Sequence, residues 1–154
     1  MGHHIRGVVA MFPDAPVITA ALDVSTVGPL GGGCVLVPLT DHAFDALPDV
    51  PGDALAGFEW LTPKVESALS RARAVLSFAW VETEYFGGVG TQAAALYHRG
   101  RREWAAAAPG DVINRALDAL GVRPGPRARR LRHRSLGRFR SMDQFEPGEA
   151  PASR

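Results

Sequence analysis

Two glutamates, Glu82 and Glu84, lie two positions apart immediately before a glycine-rich turn. Neighbouring side chains on a strand point to opposite faces, so this spacing places both carboxylates on one face and Thr83 and Tyr85 on the other. Two carboxylates on one face can act as a general acid and base, or bind a divalent cation through oxygen ligands. The alternative is a solvated outer strand face beside a turn.

The turn itself is rich in glycine, which adopts backbone angles and close approaches that a Cβ forbids. The run lacks the lysine of a G-x-x-x-x-G-K-[ST] phosphate loop, and it does not have the G-x-G-x-x-G spacing of a dinucleotide site. A hairpin turn is therefore predicted rather than a phosphate cradle. The candidate binding residues are those of the turn and its flanks, namely Glu82, Glu84, Tyr85, Gly87, Gly88, Gly90 and Gln92.

Histidine, cysteine and serine form no complete catalytic or metal-binding set. A helix brings His42 and Asp45 to neighbouring faces, but a metal site needs three or four ligands. Cys34 begins an apolar run, where a buried and inert thiol is the ordinary outcome. No serine lies in a G-x-S-x-G nucleophile elbow. We therefore expect neither a bound metal nor a cofactor.

The strongest electrostatic feature is the arginine-rich segment from Arg127 to Arg140. Residues 123–140 hold eight arginines and no acid, whereas residues 1–122 hold eight Lys or Arg against thirteen Asp or Glu, a net charge of −5. A segment of this charge can release counterions from nucleic acid or contact an anionic membrane surface. The alternative is a solvated extension that pairs loosely with the acidic body.

Hydrophobic spacing and capping residues predict the elements that carry these residues. Helices are predicted to begin after Thr40, Thr62 and Asp111, and a glycine-rich loop spans Gly28 to Gly33. Strands are predicted over His3 to Met11, Pro16 to Leu22, Cys34 to Leu39, Ala74 to Tyr85, Thr91 to Arg99 and Arg101 to Trp104. The fold class is α+β, with a small mixed or antiparallel sheet and two to three helices packed on it. Residues 1–122 form this single domain, and 123–154 form a flexible, arginine-rich extension.

The composition is that of an ordinary globular domain, with 154 residues of which 46% are hydrophobic. Apolar runs are too short to cross a bilayer, so we expect no membrane insertion. No signal peptide is predicted, and the single cysteine forms no internal disulfide, which favours the cytoplasm. The excess of arginine over lysine is typical of a bacterial chain from a GC-rich genome. A monomer or homodimer is expected.

Two strings of residues also resemble a known group of sequences. They run from Glu82 to Gln92 (ETEYFGGVGTQ) and, some twenty residues later, from Asp111 to Leu117 and from Leu120 to Val122. Together they resemble a widespread family of small bacterial proteins of unassigned function. The resemblance implies no activity, cofactor or catalytic residue. It implies a location for a functional site, because it favours the Glu82 to Gln92 turn over the histidines as the place of that site.

A compact body without a complete catalytic set predicts a small binding or accessory protein, of an immunity-like or regulatory kind, whose partner is another protein. The rival is a small enzyme that uses Glu82 or Glu84 as general base, with Tyr85 and Gln92 orienting a substrate. The shape of the surface around Glu84 and Gln92 distinguishes them. A deep pocket lined by the side chains of that enzyme's site favours the enzyme, and a flat or convex surface favours the partner.

Residues 123–154 should be dispensable for folding, because the last well-patterned helix closes at Gly121. A chain that ends after Val122 should still unfold in one cooperative transition in a denaturant titration. The same truncation should remove salt-sensitive attraction to polyanions. Insolubility, or melting without a transition, would instead assign Phe139 and Phe145 to the core and place the domain boundary later.

Overall fold

The computed structural model describes residues 3–25, 27–86, 89–108 and 112–120. Within these residues, six strands form one sheet: β1 (His3–Met11), β2 (Gly28–Gly31), β3 (Cys34–Pro38), β4 (Ser77–Phe86), β5 (Val89–His98) and β6 (Arg101–Ala108). Their order is β2-β3-β1-β4-β5-β6, and every neighbouring pair is antiparallel. The α+β class with an antiparallel sheet is confirmed, as is the β4-β5-β6 meander.

The described residues form five α-helices, which are α1 (Ala15–Leu22), α2 (Asp41–Ala46), α3 (Pro63–Ala68), α4 (Ser70–Val75) and α5 (Val112–Ala119). No helix among them is long and apolar enough to span a membrane. The count exceeds the two or three expected for two reasons. An additional helix forms near the N-terminus, and the helix predicted after Thr62 is divided between α3 and α4 at Leu69.

The sheet separates two apolar clusters. The helix-rich face carries Val8, Trp80 and Tyr97, which pack with side chains from α1 to α4. The opposite face, called here the α5 face, carries Val9 and Val81, which share a cluster with α5. Both faces are buried because helices cover each of them, so β4 reads as a nearly continuous apolar run before its polar end.

The segment from Pro16 to Leu22 is helical, so the strand predicted there was wrong. Its β-branched residues favour a strand, but the buried side chains are Ala15, Ile18 and Leu22, which recur at helical spacing. Val17 is exposed, and proline in the first turn costs the helix no hydrogen bond. Burial of one helical stripe therefore outweighs local strand propensity.

The loop predicted over Gly28 to Gly33 contains the short edge strand β2, which is joined to β3 by the Gly32–Gly33 turn. The cap at Thr40 is confirmed, since its Oγ1 accepts a hydrogen bond from the Ala43 backbone N–H at 3.1 Å. Helix α5 is also confirmed, whereas its predicted cap Asp111 and stop Gly121 lie outside the described residues.

One close approach fixes the spacing between β1 and β3. A Cβ added at Gly7 would lie 2.9 Å from the Pro38 Cα and 3.1 Å from the Val37 carbonyl carbon. These are backbone atoms of the neighbouring strand, which cannot rotate away as a flexible side chain does. Only glycine allows this contact without separating the strands.

Gly7→Ala should therefore lower the free energy of unfolding by about 3 kcal/mol, the upper end of overpacking costs. Gly100→Ala is the control, because a Cβ there meets nothing within 4 Å and only its left-handed φ of +101° is strained. The control should cost about 1 kcal/mol. Urea denaturation of both variants measures the loss in the free energy of unfolding. Equal losses would show that the structure around Gly7 adjusts and relieves the close contact.

Candidate functional site

Glu82 lies on the helix-rich face of β4 and is only 8% exposed. Its Oε1 accepts a hydrogen bond from the Glu59 backbone N–H at 2.8 Å. Its Oε2 accepts two more at 2.9 Å, from the Trp60 backbone N–H and from the Trp80 indole Nε1–H. The carboxylate thus binds the segment 57–60, called here the covering loop, to the sheet.

A buried carboxylate without partners is strongly destabilising, and hydrogen bonds to a charged group are among the stronger ones in proteins. The three donors compensate the burial of Glu82, so the interpretation of its face as a solvated outer surface is wrong. That interpretation fits Glu84, which is exposed. The two glutamates share a face, as their spacing predicts, but lie in different environments.

The covering loop is also held through Trp60, which stacks on a buried cation. The Arg6 guanidinium lies 3.8 Å from the centre of the Trp60 ring, and its Nη2 donates to Asp41 Oδ1. Phe44 meets Trp60 edge to face at 5.1 Å, and Lys64 lies over the Phe44 ring at 4.1 Å. This stack orients the loop by cation–π and aromatic contacts, in addition to the hydrogen bonds to Glu82.

A cavity of about 270 Å³ lies between the covering loop and the ends of β4 and β5. Its lining contains three glutamates, Glu59, Glu82 and Glu84, and no Lys, Arg or His. Glu59 and Glu84 are exposed, whereas Glu82 is committed to the loop. The remaining lining residues are Ile5, Gly57, Phe58, Trp60, Thr83, Thr91 and Ala93. The site is therefore an acidic recess with one structural carboxylate and two free to meet a ligand.

The candidate residues predicted from the sequence divide between two faces of the sheet. Glu82 and Glu84 line the cavity, but Gln92 pairs in register with Thr83 and lies on the α5 face. There its Oε1 accepts from the Ile113 backbone N–H at 3.2 Å and so caps the first turn of α5.

The other candidates lie nearer the turn. Tyr85 and Gly90 are opposite one another in the β4–β5 register, and Gly87 and Gly88 lie outside the described residues. In the described part of the chain, no group of three or more His, Cys, Asp or Glu is placed to hold a metal ion. Glu84 is therefore the candidate with both exposure and a position on the cavity.

Sequence reasoning missed the covering loop and the buried Arg6. The N–H donors of Glu59 and Trp60 are backbone groups, which carry no residue-specific signal. Arg6 has a signal, because a charged residue inside the apolar run of β1 needs a partner of opposite charge. Asp41, an exposed carboxylate in the first turn of α2, supplies that partner.

Glu82→Gln should lower the free energy of unfolding by about 1–3 kcal/mol, because an amide nitrogen placed against N–H donors cannot accept their hydrogen bonds. Glu84→Gln should change it by less than about 0.5 kcal/mol, as for most exposed substitutions. Chemical denaturation of the two variants tests this. Equal stability of the variants would show that the loop does not depend on the carboxylate.

Comparisons of this chain with protein-family models, with curated proteins and with solved structures found no match. The resemblance carried by Glu82 to Gln92 therefore stays a prediction. The function has to be inferred from the geometry of the site.

Proposed function

We propose that this chain is a small binding or accessory protein, of an immunity-like or regulatory kind, and that its cavity receives a basic group from a partner protein. The observation that supports this most is the acidic lining. Glu59 and Glu84 are exposed at the cavity, and no cationic residue lines it. A guanidinium or ammonium group complements this charge.

The size of the cavity favours one side chain rather than a large cofactor. Pockets for drug-sized ligands occupy about 300–1,000 Å³, and this cavity, at about 270 Å³, lies below that range. A long side chain can insert its charged end while the rest of the partner stays outside. Phe58 and Trp60 offer apolar surface to the methylene stem of such a side chain.

The role of Glu82 in this proposal is to shape the cavity rather than to react. Its two oxygens already accept three N–H groups, so it fixes the covering loop at the distance that leaves the recess open. Thr91, directly opposite Glu84 on β5, adds a hydroxyl at the same sheet end. Recognition then depends on Glu59, Glu84 and Thr91.

A small enzyme that uses Glu82 or Glu84 as general acid or base is the second candidate, because a cavity lined by both carboxylates favours it, but Gln92, expected to orient its substrate, lies on the α5 face. The commitment of Glu82 to three donors makes Glu84 the better base of the two. The distinction is chemical. A binding protein releases its ligand unchanged, whereas an enzyme converts it.

The proposal predicts selective binding of a positively charged side chain. N-acetylarginine amide, added to 15N-labelled protein, should shift the amide resonances of Glu59, Trp60 and Thr91. N-acetylcitrulline amide, which is nearly isosteric but neutral, should not. Glu84→Gln should weaken the arginine response about two- to five-fold, in keeping with one exposed ion pair. The partner's whole segment should bind more tightly than the isolated amino acid.

Glu103→Gln is the matched control, since Glu103 is exposed near the opposite end of the sheet. It removes the same charge and should leave the titration unchanged. Equal shifts with arginine and citrulline would contradict recognition by charge. Residues 123–140 are rich in arginine and can compete with the added ligand for the cavity. The same titration of a chain that ends after Val122 measures this competition.

A further inference from the structure

Five of the eight Lys and Arg residues in positions 1–122 belong to two segments that meet at one end of the sheet. The Arg99 backbone N–H donates to the Leu76 carbonyl at 3.2 Å, and the Gly100 N–H donates to the Arg73 carbonyl. These bonds join the β5–β6 turn to the end of α4. The resulting basic end consists of Arg71, Arg73, Arg99, Arg101 and Arg102.

Most of this charge is available to a ligand. Arg102 Nη1 donates to Glu66 Oε1 at 2.7 Å, so one of the five cations is neutralised. Among the described residues no salt bridge joins Arg71, Arg73, Arg99 or Arg101 to a carboxylate. Arg71, Arg99 and Arg101 are exposed, and Arg73 is half-buried over the Tyr97 ring at 5.4 Å.

The remaining described cations are committed elsewhere. Arg6 is buried and paired with Asp41, Lys64 lies 3.7 Å from Asp49, and Arg115 lies over the Trp104 ring at 4.9 Å. The concentration of charge at one end is therefore a property of the fold, since residues 71–73 and 99–102 are separated by 25 positions of sequence.

We propose that the basic end binds the phosphate backbone of nucleic acid. Guanidinium groups form paired hydrogen bonds with phosphate oxygens, and their neighbours on two segments can contact successive phosphates. The described exposed residues here include no Phe, Tyr or Trp for base stacking, and the exposed His98 ring is hydrogen-bonded to Ser77, so the contact is to the backbone and independent of base sequence.

An anionic membrane is the less suitable partner for this surface. Stable attachment to a bilayer combines basic residues with inserted apolar side chains. Of the large hydrophobic side chains exposed in the described part of the chain, Val75 is the one on α4, and Phe12, Val17 and Val50 belong to other segments. A basic surface without an apolar anchor suits binding to the phosphodiester backbone of nucleic acid better than attachment to a lipid bilayer.

The acidic cavity lies at the opposite end of β4 from the basic end. The two charged sites therefore set the orientation in which the protein meets a polyanion. From Ser77 at the basic end to Glu84 at the cavity, β4 advances seven residues, or roughly 23 Å at strand rise. A polyanion therefore attracts one end of the body and repels the other. The basic end belongs to residues 71–102, so truncation after Val122 should leave part of the salt-sensitive binding that the sequence assigns to Arg127 to Arg140 alone.

The test uses the full chain and a fluorescent 20-base-pair DNA duplex, with anisotropy measured over a series of salt concentrations. The variant R99N/R101Q removes two cations, and asparagine tolerates the left-handed φ of +39° at Arg99. The slope of log K against log salt should become less steep by about 1.8, since each phosphate contact contributes about 0.9. R71Q, on the exposed face of α4, should reduce it by about 0.9.

The control K64Q/R115Q removes the same net charge away from the basic end and should leave the slope unchanged. An equal loss in both double variants would show that only net charge matters and would overturn the proposal. If R99N/R101Q and R71Q keep the slope of log K against log salt of the unmodified chain, all DNA binding belongs to the C-terminal arginines and none to the basic end. Binding to vesicles of phosphatidylserine and phosphatidylcholine through these arginines, without DNA binding, would replace nucleic acid by membrane. Circular dichroism melts establish that each variant is folded.

Discussion

The structure of the cavity depends on one buried carboxylate. Glu82 accepts three N–H groups, two from the covering loop and one from Trp80 on its own strand. Burial of a charge is tolerated only where such donors replace water, so the position of the loop and the burial of Glu82 require one another. Arg6 lies directly opposite Glu82 in the β1–β4 register and stacks on Trp60, which brings the second support of the loop to the same row of the sheet.

The elements that the sequence predicts well are those that local physics determines. The Thr40 cap, the proline that begins α3 and the apolar stripe of α5 each depend on neighbours within one or two turns. The strand predicted over Pro16 to Leu22 is wrong because its β-branched residues favour a strand, whereas the burial of Ile18 and Leu22 at helical spacing favours a helix. Local preference decides an element only where burial does not oppose it.

The candidate site could be predicted only in part from the sequence. Apart from the spacing of Glu82 and Glu84, its contacts join residues that are far apart in the chain. The spacing of Glu82 and Glu84 determines that they share a face, and both do line the cavity. Whether Gln92 joins them depends on the strand register across the turn. That register pairs Gln92 with Thr83 and sends it to the α5 face. Glu59 and Trp60 meet Glu82 through backbone N–H groups more than twenty positions away, which no side-chain pattern reveals.

The negative charge at the cavity end of the sheet depends in part on the contacts that neutralise Arg6. Gly7 lets β1 approach β3 closely at Pro38, the last residue of β3, and the N–H of the following Leu39 donates to the Arg6 carbonyl at 3.2 Å. Because α2 begins two residues later, Asp41 reaches the Arg6 guanidinium and neutralises this cation, which stacks on Trp60 of the cavity lining. The carboxylates at that end therefore keep their negative field, while the arginines of α4 and the β5–β6 turn act at the other.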